Sequence, residues 1–216
     1  MRKLSKIAKL LYRKTRQYGS LLIWSPVYLK FYIKGHGKCF NIFTHLTIKE
    51  RLLLYKLALS LPKNSICVEI GSYLGGSACF LASAAKEKGH KVYCVDTWKN
   101  EGMSEGERDT FDEFLRNIEP LKGFIVPLRG YSVDVAKSFD KEIDLIFIDG
   151  DHSYHAVKAD VESWIPKVKN GGIVVFHDIG WAEGVQKVVE EYIKPIQLEE
   201  HILDNTYWAR IKKWKN

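Results

Sequence analysis

Residues 68–77, with the sequence Val-Glu-Ile-Gly-Ser-Tyr-Leu-Gly-Gly-Ser, constrain the fold of this chain more than any other segment. An apolar stretch, three glycines at positions 71, 75 and 76, and a run of small residues predict a buried strand, a tight turn and a helix. Because glycine has no Cβ, we expect the turn to let a ligand approach the backbone closely. The N-terminus of the following helix would direct its amide groups at the same ligand. The segment therefore predicts a binding site between the first strand and its helix.

Strands and helices are predicted to alternate along most of the chain. A capping-box pattern, Thr47-x-x-Glu50, starts a helix that ends before Pro62. The predicted strands are 66–70, 91–96, 124–128, 143–149, 173–178, 198–203 and 207–211. The predicted later helices are 76–88, 107–118, 133–139, 154–168 and 183–192. Alternation with nearly continuous apolar strands indicates an α/β fold, a doubly wound, mostly parallel seven-stranded Rossmann-like sheet with a helical N-terminal extension.

The size and composition of the chain fit one globular domain after a short extension. The 216 residues are 46% hydrophobic, and no apolar run reaches the ~18 residues of a membrane-spanning helix. The predicted division is an extension over 1–44 and a domain over 45–216. The four cysteines lack the close pairing typical of a zinc site, so we expect buried free thiols in a reducing, cytoplasmic environment.

Positive charge is concentrated near the N-terminus. Residues 1–49 contain eleven Lys and Arg and no Asp or Glu, whereas the remainder contains 22 basic and 26 acidic residues. Residues 2–18 are predicted to form a basic amphipathic helix, followed by an aromatic stretch over 20–33. This pattern suits either peripheral contact with a membrane, at its inner face, or packing on the domain or on a second subunit of a homo-oligomer. Nucleic-acid binding is less favoured, because no nucleic-acid module accompanies the charge.

The glycine segment has the spacing Glu69-x-Gly71-x-Tyr73-x-Gly75-x-Ser77. It resembles the first motif of class I S-adenosylmethionine-dependent methyltransferases, especially the catechol-type O-methyltransferases. A dinucleotide fingerprint would need glycine where Tyr73 stands, which disfavours a nicotinamide dehydrogenase. The resemblance implies S-adenosylmethionine as cofactor and a first set of binding residues: Glu69, Gly71, Ser72, Tyr73, Gly75 and Ser77.

Further cofactor-binding candidates follow the second, third and fourth predicted strands. The second ends at Asp96-Thr97-Trp98, and an acid at this position typically accepts hydrogen bonds from ribose hydroxyls. The resemblance implies this role for Asp96, with Thr97 beside it and Trp98 against the adenine or walling the substrate cleft. Ser132 is a candidate adenine contact or a plain helix N-cap. Asp96 has the alternative role of a helix cap or turn residue.

The fourth and fifth predicted strands end in a dense group of titratable residues, namely Asp149, Asp151, His152, His177 and Asp178. Carboxyl ends of neighbouring parallel strands meet at one edge of a sheet, so these side chains are expected to share a small volume. Crowding of this kind is costly unless charge is compensated by a divalent cation or by the cationic sulfonium near Asp149.

The segments Ile-Asp-Gly-Asp-His-Ser-Tyr and Gly-Gly-Ile-Val-Val-Phe-His-Asp resemble the O-methyltransferases related to macrolide-sugar methyltransferases and cephalosporin hydroxylase-type proteins. The resemblance spans about residues 45–180. Metal-dependent relatives bind magnesium through acids at these strand ends, which would make Asp149 and Asp178 ligands of Mg²⁺ or Mn²⁺. His177 departs from that pattern, because the relatives have a carboxylate there and Mg²⁺ prefers oxygen. Either His177 is not a ligand, or the ion is softer, or no metal binds.

The predicted activity is transfer of a methyl group to a hydroxyl of a sugar, glycolipid or secondary metabolite. His152 is the first candidate for the base that deprotonates the hydroxyl, because imidazole titrates near neutral pH. Asp151 is second and His177 third. The alternatives are a metal-using enzyme with a borrowed fold, and a non-catalytic cofactor-binding partner of a glycan-modifying enzyme. The loop over 99–109 is either a lid or a solvated connector.

Overall fold

The computed structural model describes residues 23–101 and 106–214. The amphipathic helix predicted over 2–18 and the centre of the predicted lid lie outside the described residues. The described residues belong to two compact units that divide between Lys38 and Cys39. The division falls six residues before the predicted boundary at 44.

The first unit is helical where it is described. Residues 23–31 form a helix, and a wider helical turn follows over Tyr32–His36. Gly35 has a φ of 82° within this turn, a conformation that glycine adopts without strain. A 3₁₀ turn over Gly37–Asn41 leads into the second unit.

The second unit contains seven strands and six α-helices among the described residues. The strands are β1 (Ile66–Ile70), β2 (Lys91–Asp96), β3 (Ile125–Arg129), β4 (Ile143–Ile148), β5 (Val168–Phe176), β6 (Gln197–Leu203) and β7 (Thr206–Ile211). The helices are α1 (Ile48–Ser60), α2 (Ala78–Lys88), α3 (Phe111–Ile118), α4 (Ser132–Ser138), α5 (Tyr154–Trp164) and α6 (Glu183–Val188). Short helical turns occupy Glu119–Phe124, Ile165–Lys167, Val189–Ile193 and Lys194–Ile196.

The strands form one sheet in the order β3-β2-β1-β4-β5-β7-β6. β1 to β5 pair in parallel, whereas β7 runs antiparallel to both β5 and β6. The strand order reverses between β1 and β4, and ligands of such sheets bind beyond the carboxyl ends at this switch point. The predicted seven-stranded, mostly parallel Rossmann-like sheet is confirmed.

One boundary differs from its prediction in a way that proline explains. Helix α5 was predicted to continue to Val168, but it ends at Trp164 and β5 already begins at Val168. Pro166 lies in the short turn Ile165–Lys167 between them. Proline has no backbone N–H and clashes with the preceding helical turn, so the helix stops there.

The core lies on both faces of the sheet. Every residue of β4 is buried, and the large fully buried side chains include Phe147, Phe176 and Trp164. The four cysteines are free and buried, as predicted. None of the helices in the described part of the chain has the length and hydropathy that a bilayer-spanning segment requires.

Candidate active site

The glycine turn after β1 is packed against other parts of the protein. A Cβ at Gly71 would overlap the backbone carbonyl of Asp149, and one at Gly75 would lie 2.9 Å from Ile118 Cγ2. A Cβ at Gly76 would lie 2.7 Å from Thr44 Cβ. We expected the missing Cβ atoms of these glycines to make room for a ligand. In the structure they instead make room for other parts of the protein, which pack closely around the turn. This packing fixes the path of the backbone that faces the switch point.

Glu69 is a fully buried acid next to this turn. Its Oε2 accepts a hydrogen bond from Cys94 Sγ at 3.5 Å. Within the described residues, neither Glu69 Oε1 nor Ser72 Oγ has a hydrogen-bond partner of good geometry. Burial raises the pKa of Glu69 to about 7, although the nearby hydroxyls of Ser77 and Ser72 oppose this rise. The turn thus contains a buried acid that has no counter-charge among the residues the structure describes.

Asp96, at the end of β2, holds the glycine turn in place. Its Oδ2 accepts a hydrogen bond from the Tyr73 amide at 2.8 Å, and its Oδ1 accepts one from the Trp98 amide at 2.7 Å. Tyr73 and Trp98 have positive φ angles of 42° and 51°, which are uncommon for such residues. Burial raises the pKa of Asp96, while these amides oppose the shift. The amides of Ser72 and Thr97 also oppose the rise in this pKa, so four backbone N–H groups surround the carboxylate.

Trp98 does not present its ring to a ligand, contrary to the prediction. The side chain is fully buried, and its Nε1 donates to the Tyr73 carbonyl at 2.8 Å. Its ring packs against Phe111 and Phe114 at centroid distances of 4.9 and 4.6 Å. The reason for the difference is that the left-handed backbone at Trp98 turns the indole into the protein, where the apolar ring is best accommodated.

Two smaller candidates lie at the rim of this region. The Thr97 hydroxyl donates to Glu101 Oε2 at 3.4 Å. Ser132 Oγ accepts a hydrogen bond from Trp164 Nε1 at 2.7 Å, and the N-cap of α4 is Tyr131. The alternative that Ser132 is a helix N-cap is therefore wrong, whereas its contact with adenine stays a prediction.

His152 and Asp178 form a hydrogen-bonded pair beyond the ends of β4 and β5. His152 Nε2 lies 2.8 Å from Asp178 Oδ2. This contact raises the pKa of His152, although partial burial acts in the opposite direction. Asp178 Oδ1 accepts hydrogen bonds from Trp181 Nε1 at 2.6 Å and from Asn205 Nδ2 at 2.5 Å. Burial alone would raise the pKa of Asp178, but its hydrogen bonds from His152 and His177 hold it well below the usual range.

His177 is buried among three carboxylates. Its Nδ1 lies 3.2 Å from both Asp149 Oδ1 and Asp178 Oδ2, and its Nε2 lies 3.6 Å from Glu50 Oε1. Burial by itself lowers the pKa of His177, but these three acids outweigh burial and raise it to about 12. The imidazole is thus a cation at neutral pH, which argues against the predicted role of His177 as a base.

Glu50 belongs to this cluster, although its sequence pattern indicated only a helix cap. The capping box at the start of α1 is present, as predicted. The same carboxylate accepts hydrogen bonds from the Asn205 amide at 2.8 Å and from Thr206 Oγ1 at 3.1 Å. Burial alone would raise the pKa of Glu50, but His177 and Thr47 lower it to about 2. No local signal in the sequence reports the contact with His177, because the two residues are distant in the chain.

Asp151 lies outside the cluster. It is exposed, and its Oδ1 accepts a hydrogen bond from the Ser153 amide at 2.6 Å, next to the start of α5. Hydrogen bonds with Ser153 lower the pKa of Asp151. A carboxylate with a lowered pKa is a weaker base, so the geometry favours His152 over Asp151.

The acids and histidines at the ends of β4 and β5 form the one candidate metal site within the described residues. Ligand atoms of Asp149, His152 and Asp178 lie within 4.8 Å of one another. However, Mg²⁺ prefers an all-oxygen octahedral shell, whereas this set includes an imidazole. The two carboxylates also already accept hydrogen bonds from the imidazolium of His177. The residues therefore do not fit Mg²⁺, and binding of Mn²⁺ by Asp149 and Asp178 stays a prediction.

Comparison with known proteins agrees with this architecture. Residues 68–179, just over half of the chain, match the family described as "Methyltransferase domain". The chain is 33% identical over 115 residues to the uncharacterized protein y4gI of Sinorhizobium fredii. That match covers 51% of this chain and only 13% of y4gI, so the chain spans a small part of this relative's length.

Two solved structures show the same fold at low sequence identity. The O-methyltransferase from Bacillus cereus in complex with SAH superposes with a TM-score of 0.64 at 17% identity, over 87% of this chain and 91% of that chain. The TDP-rhamnose 3'-O-methyltransferase CalS11, an enzyme in calicheamicin biosynthesis, gives 0.56 at 17% identity, over 75% of this chain and 77% of that chain.

The family match and the sheet order identify the class of protein: the chain belongs to the methyltransferase-domain family. Its fold is that of the class I, S-adenosylmethionine-dependent methyltransferases. The residues fit such a cofactor, since Glu69 is a buried acid without a cationic partner and Ser72 Oγ is unpaired among the described residues. Both flank the turn at the switch point, where S-adenosylmethionine would bring a positive charge.

Proposed function

We propose that this chain is an S-adenosylmethionine-dependent O-methyltransferase in which His152 is the general base. The observation that carries the proposal is the His152–Asp178 contact of 2.8 Å at the switch-point edge of the sheet. Asp149, which contacts His177, packs its backbone directly against Gly71 of the cofactor turn. The base and the expected methyl donor would thus share one edge.

The cofactor supplies the methyl group when it is bound. His152 is proposed to remove the proton of the acceptor hydroxyl through Nδ1, because Nε2 is engaged with Asp178. Asp178 selects this tautomer and orients the ring, and it is itself fixed by Trp181 and Asn205. Positioned bases of this kind typically contribute 10²–10⁴-fold to the rate. His177 keeps Asp149 and Asp178 neutralised without entering the reaction.

We propose that the cofactor is held by the residues around the turn. Glu69 would pair with its positive charge, Asp96 would accept hydrogen bonds from its ribose, and Ser132 would lie at its adenine. The remaining contacts would come from Gly71, Ser72, Tyr73, Gly75, Ser77, Thr97 and Asp149. The acceptor would be a hydroxyl of a sugar, a glycolipid or a secondary metabolite, and CalS11, which acts on TDP-rhamnose, supports the sugar.

We also propose that residues 1–33 bring the enzyme to an anionic membrane surface in the cytoplasm. Ile23, Leu29 and Ile33 are 74%, 57% and 71% exposed, and residues 1–49 contain no acid. Apolar side chains among basic ones bind anionic lipid. The protein should float with phosphatidylglycerol vesicles but not with phosphatidylcholine vesicles; flotation with neither, and a dimer in solution instead, would favour a subunit contact.

The test of the catalytic proposal compares His152→Ala with the matched variant His155→Ala, which changes an exposed histidine on α5. Formation of S-adenosylhomocysteine is measured against a panel of nucleotide sugars and glycolipid headgroups. We expect turnover to fall about 10²–10⁴-fold for His152→Ala and to be retained for His155→Ala. Calorimetry should show unchanged affinity for S-adenosylhomocysteine in both. Equal turnover in the two variants would exclude His152 as the base, and cofactor binding without turnover on any acceptor would favour a non-catalytic partner.

A further inference from the structure

Trp181 is an exposed aromatic side chain beside the proposed base. It lies between β5 and α6, and 62% of its surface is exposed. Among the tryptophans that the structure describes, Trp181 is the one whose side chain is largely exposed to solvent, whereas Trp98 and Trp164 are fully buried. An exposed indole at a catalytic edge is a candidate for ligand contact, since aromatic groups commonly line binding sites.

The indole is held in a fixed orientation. Its Nε1 donates to Asp178 Oδ1 at 2.6 Å, and its backbone amide donates to the Asp178 carbonyl at 3.2 Å. The ring meets that of His152 edge-on, with centroids 5.2 Å apart and planes at 79°. The Nε1 hydrogen bond and the ring contact limit rotation of the indole, and the backbone hydrogen bond holds the segment that carries it. The indole is therefore preorganised relative to the base.

The indole supplies an apolar face, and polar residues lie at its edge. The neighbours that contact it, His152 and Asp178, are both polar, and Asp149 lies next to them through His177. A flat aromatic acceptor would need a second apolar wall, which these neighbours do not provide. A pyranose ring has an apolar C–H face and a rim of hydroxyl groups, and this pair of surfaces matches the apolar indole and its polar edge.

We propose that the exposed face of Trp181 is the binding platform for a pyranose ring of the acceptor. The inference rests on the proposed function, because the platform places a ring hydroxyl beside His152. The indole would contact the C–H face of the sugar, while its hydroxyls would point towards His152 and the acids. Trp181 is thus a specificity-determining residue that selects sugars over planar phenols.

The test is nuclear magnetic resonance on protein saturated with S-adenosylhomocysteine and labelled with ¹⁵N at the indole groups. The Trp181 Nε1–H signal is assigned from its loss in Trp181→Phe. Methyl α-L-rhamnopyranoside, methyl β-D-glucopyranoside and catechol are the probes. We expect a saturable shift of the Trp181 signal with at least one pyranoside, and none with catechol at the same concentration. A shift with catechol alone, or with neither pyranoside, would overturn the platform.

Two variants separate the ring contact from the hydrogen bond to Asp178. Trp181→Ala should weaken pyranoside binding at least 10-fold. Trp181→Phe keeps an aromatic ring, so the logarithm of its loss in affinity should be less than half of that for Trp181→Ala. With a sugar acceptor, Trp181→Ala should raise KM more than Trp181→Phe does, whereas kcat should change equally in the two variants, because both lose the hydrogen bond that fixes Asp178. Equal binding in wild type and Trp181→Ala would refute the platform.

The two proposals fail in different ways. Calorimetry with S-adenosylhomocysteine tests the cofactor site, which Trp181 does not line, so both variants should bind it as the wild type does. Absence of cofactor binding in the wild type would refute the proposed function, whereas normal cofactor binding with no pyranoside response would refute the platform alone. Because the side chain is exposed, both variants are expected to fold.

Discussion

Glu69 and Glu50 are both buried glutamates, at 0% and 1% exposure, yet their acidities differ widely. Burial raises the pKa of Glu69 to about 7. Burial also acts on Glu50, but His177 and the donors of Thr47 and Asn205 lower its pKa to about 2. The difference lies in their partners: Glu50 faces an imidazolium and several N–H groups, whereas Glu69 has a thiol and hydroxyls nearby.

The comparison distinguishes the two halves of the candidate site. In the half built by β4, β5, α1 and the β6–β7 turn, the charges of Asp149, Asp178 and Glu50 are met by His177 and His152. In the half built by β1 and β2, the buried acid Glu69 has no cationic partner within the described part of the chain. A site of the second kind gains from a positively charged ligand, since binding removes the cost of burying a lone carboxylate. A site of the first kind already contains its own counter-charges, although His177 Nε2 has no hydrogen-bond partner among the described residues.

The largest expected effect is on stability. Glu50→Ala removes one member of a buried charged group and leaves His177 with two acids. We expect the free energy of unfolding to fall by about 3–5 kcal/mol, measured by urea denaturation at pH 7. The matched control is Glu69→Gln, which removes an uncompensated acid and should leave stability unchanged or slightly higher. Equal losses in the two variants would remove the distinction between the halves.

The same contrast predicts how stability responds to acid. The pKa of Glu50 is lower in the folded state than its ordinary value of about 4.3, so its contribution is present above that value. The contribution is lost as the pH falls through about 2. Wild type should therefore lose stability between about pH 4 and pH 2 more steeply than Glu50→Ala. Parallel pH profiles for the two proteins would contradict the assigned pKa of Glu50.

The next effect concerns the cofactor. Glu69→Gln should weaken binding of S-adenosylmethionine about 10- to 100-fold, the loss of a hydrogen bond to a charged group. In wild type the affinity should rise with pH through about 7, because the ionised form of Glu69 pairs with the cation. Calorimetry at pH 6 and pH 8 measures both. His155→Ala serves as a control with wild-type behaviour, and a pH-independent wild-type affinity would refute the role of Glu69.

The smallest effect is a gain of metal binding. His177→Asp removes the internal cation and supplies a third oxygen ligand beside Asp149 and Asp178. We expect at least a 10-fold increase in affinity for Mn²⁺ over wild type, measured by calorimetry without substrate. His177→Asn is the matched control, since it removes the imidazole without adding a carboxylate. Tight Mn²⁺ binding by wild type would show that the imidazole of His177 does not keep a metal ion away from Asp149 and Asp178.

The sequence alone determined most of the secondary structure and the glycine turn that follows β1. Runs of apolar residues, the Thr47-x-x-Glu50 cap and the glycine turn are local patterns, and each acts through neighbours a few residues away. Their predictions were therefore confirmed at nearly every strand. Helix α5 ends four residues before its predicted end, because Pro166 cannot continue the helix.

Only the tertiary structure decided which charges meet. Glu50 comes from α1, His177 from the end of β5 and Asn205 from the β6–β7 turn, and no periodicity relates residues so far apart in the chain. The same holds for Trp98, whose burial follows from a positive φ and from packing on α3. The pKa of a buried group depends on the charges around it, so residue type and position in the sequence cannot determine it.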